Sequence, residues 1–197
     1  MRVILASASP RRAELLAQLV PQIDIHPSAV NEQQQASESA QAYVCRLAQD
    51  KANAVAANVQ DTALIVGSDT LIDAAGKVLE KPRDEAHFYD MLNLLSDNTH
   101  KVRTGVAVAM VKQGKLLQTP VIEVVTEVTM APISPSQQQA YWATGEPQDK
   151  AGGYAIQGYA GRFIKTINGS YTAVVGLPLY QTEQLLNQCR QRLGVGQ

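Results

Sequence analysis

The 197-residue chain predicts an α/β fold built on a mixed sheet. Three observations carry that expectation. Arg2-Val3-Ile4-Leu5 has the short apolar character of an interior strand and runs at once into a helix opening. Ala63-Leu64-Ile65-Val66-Gly67 is a second apolar run of strand length, read as a central strand buried on both faces. Segments 102–111 and 116–129 flank Gly114 as a hairpin, and the alternation over 121–128 marks a partly solvated strand.

Ser9 and Pro10 open the first helix, Ser as its cap and Pro at its first position, and the helix runs to about residue 19. Arg11 and Arg12 fall in its first turn, where the helix dipole opposes cations. Two readings stand for that junction. It is a capped helix with two solvated arginines, or an anion site of backbone N–H groups, two serine hydroxyls and two guanidiniums. Residues 22–26 form a short strand, and Asn31-Glu32-Gln33-Gln34-Gln35 is a polar loop or flap. A helix spans about 37–58, with Val44, Leu47 and Val55 on one face. Lys51 shares that face, so its side chain runs towards the interior or a cleft edge, or else snorkels at the margin of the core.

The run 63–67 ends in Ser68-Asp69-Thr70, which places a carboxylate at the end of an interior strand, where open α/β sheets hold ligand chemistry. The plainer reading of Asp69 is a turn carboxylate satisfied by backbone N–H groups. A turn at 74–77 and a short strand, Val78-Leu79, lead into the charged run Glu80-Lys81-Pro82-Arg83-Asp84. A helix over 84–95 buries Phe88, Met91, Leu92 and Leu95. After the two long strands come a helix at 136–143 and a Gly-rich, polar loop at 145–158 that lets backbone approach a ligand. A strand at 163–167, a short helix after Asn168-Gly169-Ser170, and a terminal helix beyond Leu177-Pro178 to about residue 192 complete the chain.

At 45% apolar residues the chain can bury a substantial core, as one domain over 1–197. Its 17 basic and 18 acidic residues leave a net charge of -1, so no global field recruits nucleic acid or an anionic membrane, and any anion site is local. Low aromatic content argues further against an RNA-binding module. Cys45 and Cys189 lack metal or redox spacing and read as reduced thiols, Cys45 in the core. With no signal-like or membrane-length apolar stretch, a cytoplasmic protein is expected. Phosphate-binding and dinucleotide glycine motifs, a zinc-type histidine pair and a nucleophile elbow are missing from the sequence.

Pooling the strand and helix ends gives Arg11, Arg12, Lys51, Lys81 and Arg83 as cations and Glu32, Asp69 and Glu80 as carboxylates. Cations alone suit a passive phosphate site. Carboxylates added to them call for a divalent metal to offset repulsion from a phosphorylated substrate. The set therefore favours metal-assisted attack on phosphorus, with Asp69 orienting and deprotonating a water and Lys51 and Lys81 offsetting charge on a departing pyrophosphate.

Leu5-Ala6-Ser7-Ala8-Ser9-Pro10-Arg11-Arg12, Gly67-Ser68-Asp69-Thr70, Leu79-Glu80-Lys81-Pro82-Arg83-Asp84 and the segment from Asp149-Lys150-Ala151-Gly152-Gly153-Tyr154 to Gly158 together resemble the Maf family. The resemblance continues through Ile167-Asn168-Gly169-Ser170-Tyr171 and Val174-Val175-Gly176-Leu177-Pro178, in order along nearly the whole chain. It implies an elongated mixed sheet flanked by helices, with two lobes and a central cleft, similar to the inosine triphosphate pyrophosphatases. It also implies a nucleoside triphosphate pyrophosphatase that cleaves between the α and β phosphates with a divalent cation, Mg²⁺ or Mn²⁺. Asp69 matches the family's proton acceptor. Ser7, Arg12, Glu32, Lys51 and Lys81 match its substrate-binding positions, and Asp69 with Glu32 its metal side. Arg11, Thr70 and Gln157 match the positions that set base choice in the branch acting on dTTP and UTP. A sister branch acting on 7-methyl-GTP has Gln after the Asp, where this chain has Thr70. The family is linked to arrest of septum formation, so a non-catalytic, nucleotide-binding regulator of division is the alternative from another class; a homodimer stays open.

Overall fold

The computed structural model describes residues 1–194. Its strands are β1 (Arg2–Leu5), β2 (Asp24–Ile25), β3 (Ala63–Ala74), β4 (Lys77–Leu79), β5 (Thr99–Lys112), β6 (Lys115–Gln118), β7 (Val121–Met130) and β8 (Ile164–Asn168). They form one sheet in the order β2-β1-β3-β5-β7-β8, with β4 added to β3 and β6 to β5. β1 pairs in parallel with β2 and β3, whereas β3 with β4, β5 with β6 and β7 with β8 are antiparallel, so the sheet is mixed as expected. The helices are α1 (Pro10–Leu16), α2 (Ala40–Ala56), α3 (Glu85–Leu95), α4 (Pro135–Trp142), α5 (Tyr171–Val175) and α6 (Leu179–Leu193). None is long and apolar enough to cross a membrane.

The chain divides into two compact units with boundaries inside β3, β5 and β7 and just after α5. The first contains Met1–Asp69, Thr104–Val124 and the chain from Gly176 onward. Its core sets the alanine-rich face of α2 (Ala48, Ala52, Val55, Ala56) against Ile4, Ile65 and Ala107 of the sheet. Small side chains permit a close approach, and two glycines make it closer still. A Cβ on Gly67 would lie 2.2 Å from the Ala48 carbonyl oxygen, and one on Gly105 would lie 2.5 Å from that of Val44. Both strands carry glycine because the helix backbone rests directly on them.

The second unit, Thr70–Arg103 with Val125–Val175, is organised around Phe88. Its ring meets those of Tyr141 at 5.8 Å and Trp142 at 5.2 Å, and the expected apolar face of α3 (Phe88, Met91, Leu92, Leu95) is buried. Asp84 caps α3 by accepting from the His87 N–H. Ser134 and Gln137 form a reciprocal capping box at α4.

Several expected boundaries are corrected. β3 does not stop at Ser68-Asp69-Thr70 but continues to Ala74, because Ile72 pairs with Leu79 across a two-residue turn. Ala75 and Gly76 both take left-handed φ values there, 50° and 75°, as such a hairpin requires. Asp69 therefore lies within a long strand rather than at its end. The segment read as one strand over 116–129 is two, β6 and β7, parted at Thr119-Pro120, since proline has no N–H for the ladder. α1 ends at Leu16, short of residue 19. Cys45 is half-buried rather than core, while Cys189 is buried.

Candidate active site

In the first unit, Lys51 projects from the inner face of α2 and is 6% exposed. Its Nζ donates to Asp69 Oδ1 at 2.7 Å and pairs with Glu32 Oε1 at 2.6 Å. One ammonium thus bridges two carboxylates with short, charge-assisted contacts. The three residues come from three different elements: the middle of α2, the interior of β3, and the loop that precedes α2. Of the two readings of Lys51, the inward-facing one holds.

Arg12 joins this group. Its Nε donates to the Gly176 carbonyl at 3.1 Å, and its Nη1 stands 3.5 Å from the Ser7 hydroxyl. Burial lowers its pKa from the ordinary arginine value, while the charges of Asp69 and Glu32 act to raise it and Arg11 to lower it. Those couplings place Arg11, Arg12, Asp69 and Glu32 within one electrostatic neighbourhood; arginine keeps its proton throughout. Ser7 is buried and accepts from the Ser9 N–H at 3.1 Å, and Ser9 caps α1 by accepting from the Arg12 N–H. Because α1 is only seven residues long, anion affinity rests on the guanidiniums more than on the dipole. Three cations (Arg11, Arg12, Lys51) against two carboxylates leave this neighbourhood net positive, which suits a polyanion.

Residues outside the expected set hold these side chains in place. The Ser68 hydroxyl, fully buried, lies 3.0 Å from the Gly105 carbonyl and 2.9 Å from that of Gly176, the carbonyl that also anchors Arg12. Tyr43 donates its hydroxyl to the Glu32 carbonyl. Arg46 donates to the Gln33 carbonyl at 3.1 Å and pairs with Glu38 through Nε at 2.7 Å and Nη2 at 2.8 Å. The Arg46 bonds hold the Glu38 carboxyl below its ordinary range. The flap carrying Glu32 is therefore tied to α2 one and two turns before Lys51. Helical spacing offered a signal for this: Tyr43 and Arg46 stand three residues apart on one side of α2, the Arg46 guanidinium 5.4 Å from the Tyr43 ring centroid.

The second unit holds Thr70, Lys81 and Gln157. Thr70 is half-buried in β3, and Lys81 is exposed just after β4. Gln157 is exposed in the expected irregular loop, which folds as three short 3₁₀ turns. Gly152 and Gly153 have φ of 64° and 70°, and a Cβ on them would meet Ile72 at 2.4 Å and Phe88 at 2.8 Å. Only glycine satisfies both the backbone and the space. The Gly152 N–H donates to the Glu80 carbonyl at 2.9 Å, and the Tyr154 hydroxyl meets His100 Nε2 at 2.7 Å. Burial depresses His100 to about 4.

Among the described residues there is no cluster of three or more His, Cys, Asp or Glu able to hold a metal unaided. The donor set instead has two carboxylate oxygens already converging on one cation, the Lys51 ammonium. That fits a hard divalent ion, which takes few protein carboxylates and completes its shell with water and substrate phosphate.

The profile of a family described as Maf-like protein matches residues 2–189. The chain is 52% identical over 186 residues to the dTTP/UTP pyrophosphatase of Idiomarina loihiensis, covering 94% of each. It is 51% identical over 183 residues to the dTTP/UTP pyrophosphatase of Salmonella typhimurium, covering 93% of this chain and 90% of that one. With the dTTP/UTP pyrophosphatase of Vibrio cholerae the identity is 49% over 187 residues, covering 95% and 97%. Among solved structures, a HAM1 protein from Coxiella burnetii aligns with a TM-score of 0.51 at 16% identity, over 95% of this chain and 99% of that one, a likeness of fold alone.

Proposed function

The chain belongs to the Maf family, and from that premise we propose that it hydrolyses dTTP and UTP to the nucleoside monophosphate and pyrophosphate. The observation that carries the chemistry is the buried Lys51 ammonium bridging Asp69 and Glu32 beside Arg12. Water attacks the α-phosphorus, its proton passes to Asp69, and the bond from the α-phosphorus to the bridging oxygen breaks to release pyrophosphate. Lys51 fixes Asp69 Oδ1, leaving Oδ2 to take that proton. Arg12, held by the Gly176 carbonyl, and Ser7 bind phosphate oxygens. A divalent ion held by Asp69 and Glu32, Mg²⁺ or Mn²⁺, would supply Lewis-acid polarisation of the phosphate.

Lys81 is assigned the charge of the departing pyrophosphate, and Arg11, Thr70 and Gln157 the choice of base, on the family's motif positions. Uracil and thymine present a carbonyl–imino–carbonyl edge that an amide such as Gln157 reads with paired hydrogen bonds. The substrate supply is the cytoplasmic nucleotide pool. Incubation with dTTP, UTP, CTP, GTP and 7-methyl-GTP, with pyrophosphate as the readout, tests the assignment. Turnover of dTTP and UTP well above the others is expected; no pyrophosphate from either, or preference for 7-methyl-GTP, would overturn it.

A further inference from the structure

We infer that Glu146 and Tyr141 are positioning residues for base selection, a clamp that fixes the turn carrying Gln157; this rests on the assignment of Gln157 to the base. The Tyr141 hydroxyl donates to Glu146 Oε1 at 2.8 Å and accepts from the Ala155 N–H at 3.3 Å. Glu146 Oε2 accepts from the Tyr159 N–H at 2.9 Å. The two bonds from the clamp thus grip the backbone two residues before Gln157 and two residues after it.

Between them the chain turns tightly, the Gly158 N–H donating to the Ala155 carbonyl at 3.1 Å. Gly158 lies against the Glu146 carboxylate so closely that a Cβ there would stand 2.1 Å from Oε2. The Tyr159 ring stacks on that of Tyr141, 5.3 Å apart and within 8° of parallel, with the Arg162 guanidinium 3.8 Å over the Tyr159 ring. Burial and the bond to Glu146 raise the Tyr141 phenol above its ordinary value, which keeps it a donor to the carboxylate. Gln157 itself is exposed. Its backbone is fixed while its amide is left for a ligand, the arrangement that hydrogen-bond readout of a base requires.

The test compares kcat/KM for UTP and CTP, which match in size and differ in the edge they present, in wild type, Gln157→Ala, Glu146→Ala, Tyr141→Phe and the Glu146→Ala/Gln157→Ala double variant. The UTP:CTP ratio is insensitive to how much enzyme is folded, since both rates come from one sample. Gln157→Ala is expected to lower the ratio by about tenfold or more, as a lost polar reader does. Glu146→Ala and Tyr141→Phe should lower it several-fold, and the double variant no further than Gln157→Ala alone. If Gln157→Ala lowers the ratio while both clamp variants leave it unchanged, the clamp is structural only and the inference falls. If Gln157→Ala leaves the ratio unchanged, the base assignment falls and takes the clamp's role with it. Should Glu146→Ala fail to fold, Tyr141→Phe, which keeps the stacked ring, decides the matter.

Discussion

Lys51 concentrates the electrostatics of the first unit in one side chain. Removing it leaves Asp69 and Glu32 facing one another without the ammonium that bridges them. Loss of one partner of a fully buried pair costs about 3–5 kcal/mol. Glu32 is 53% exposed and relaxes into solvent, so Lys51→Met should cost about 2 kcal/mol. Urea unfolding would measure that loss, and pyrophosphate release should fall at least about a hundredfold, as when a preorganised charge is removed. A variant as stable and active as wild type would contradict the bridge. The inward direction of Lys51 was readable from its spacing to Val44 and Val55. Glu32 was pooled among the candidate carboxylates, but its contact with Lys51 was not readable, because a polar loop has no period. Ser68 was read merely as part of a strand end, since nothing in a serine's identity reveals that two carbonyls flank it.

At the level of elements, what places Lys51 is the direct seating of α2 on β3 and β5. Gly67→Ala drives a methyl group into the Ala48 carbonyl and the Ala52 nitrogen, 2.2 and 2.7 Å away, and backbone cannot yield as a flexible side chain does. The substitution should destabilise by about 1–3 kcal/mol, the range for overpacking, and should lower kcat by displacing Lys51 from Asp69. Thermal melts and turnover on the same samples check both. Unchanged values would mean that the close approach is unimportant. The sequence showed a central strand at 63–67 and stopped it too early. An apolar run reports burial, whereas the strand itself persists as long as a partner exists, and β4 supplies one through Leu79. The opposite error at Thr119-Pro120 has another cause: 116–129 was read as one strand although proline at 120 has no N–H for the ladder.

Over the whole molecule, acid sensitivity follows from His100. Its ring is buried, and burial pushes its pKa down to about 4, whereas an unfolded histidine takes up its proton near 6.5. Protonation in the fold would bury a charge together with Nδ1, which has no hydrogen-bond partner among the described residues. Between those values the unfolded chain binds more protons, so stability rises with pH and is lost as the pH falls from about 6.5 to 4, by on the order of 3 kcal/mol. His100→Gln should flatten that part of the stability profile in melts from pH 7 to 4.5; an equally steep profile would place the titration elsewhere.

In the proposed reaction Asp69, fixed by Lys51, receives the proton from a water that cleaves dTTP and UTP between the α and β phosphates. The most direct measurement is pyrophosphate release from UTP by wild type and Asp69→Asn side by side with a divalent cation present. Wild type should release pyrophosphate and monophosphate rapidly and in equal amounts, and Asp69→Asn should lose at least about a hundredfold in kcat, the scale of a missing general base. Comparable turnover by the two proteins would contradict it.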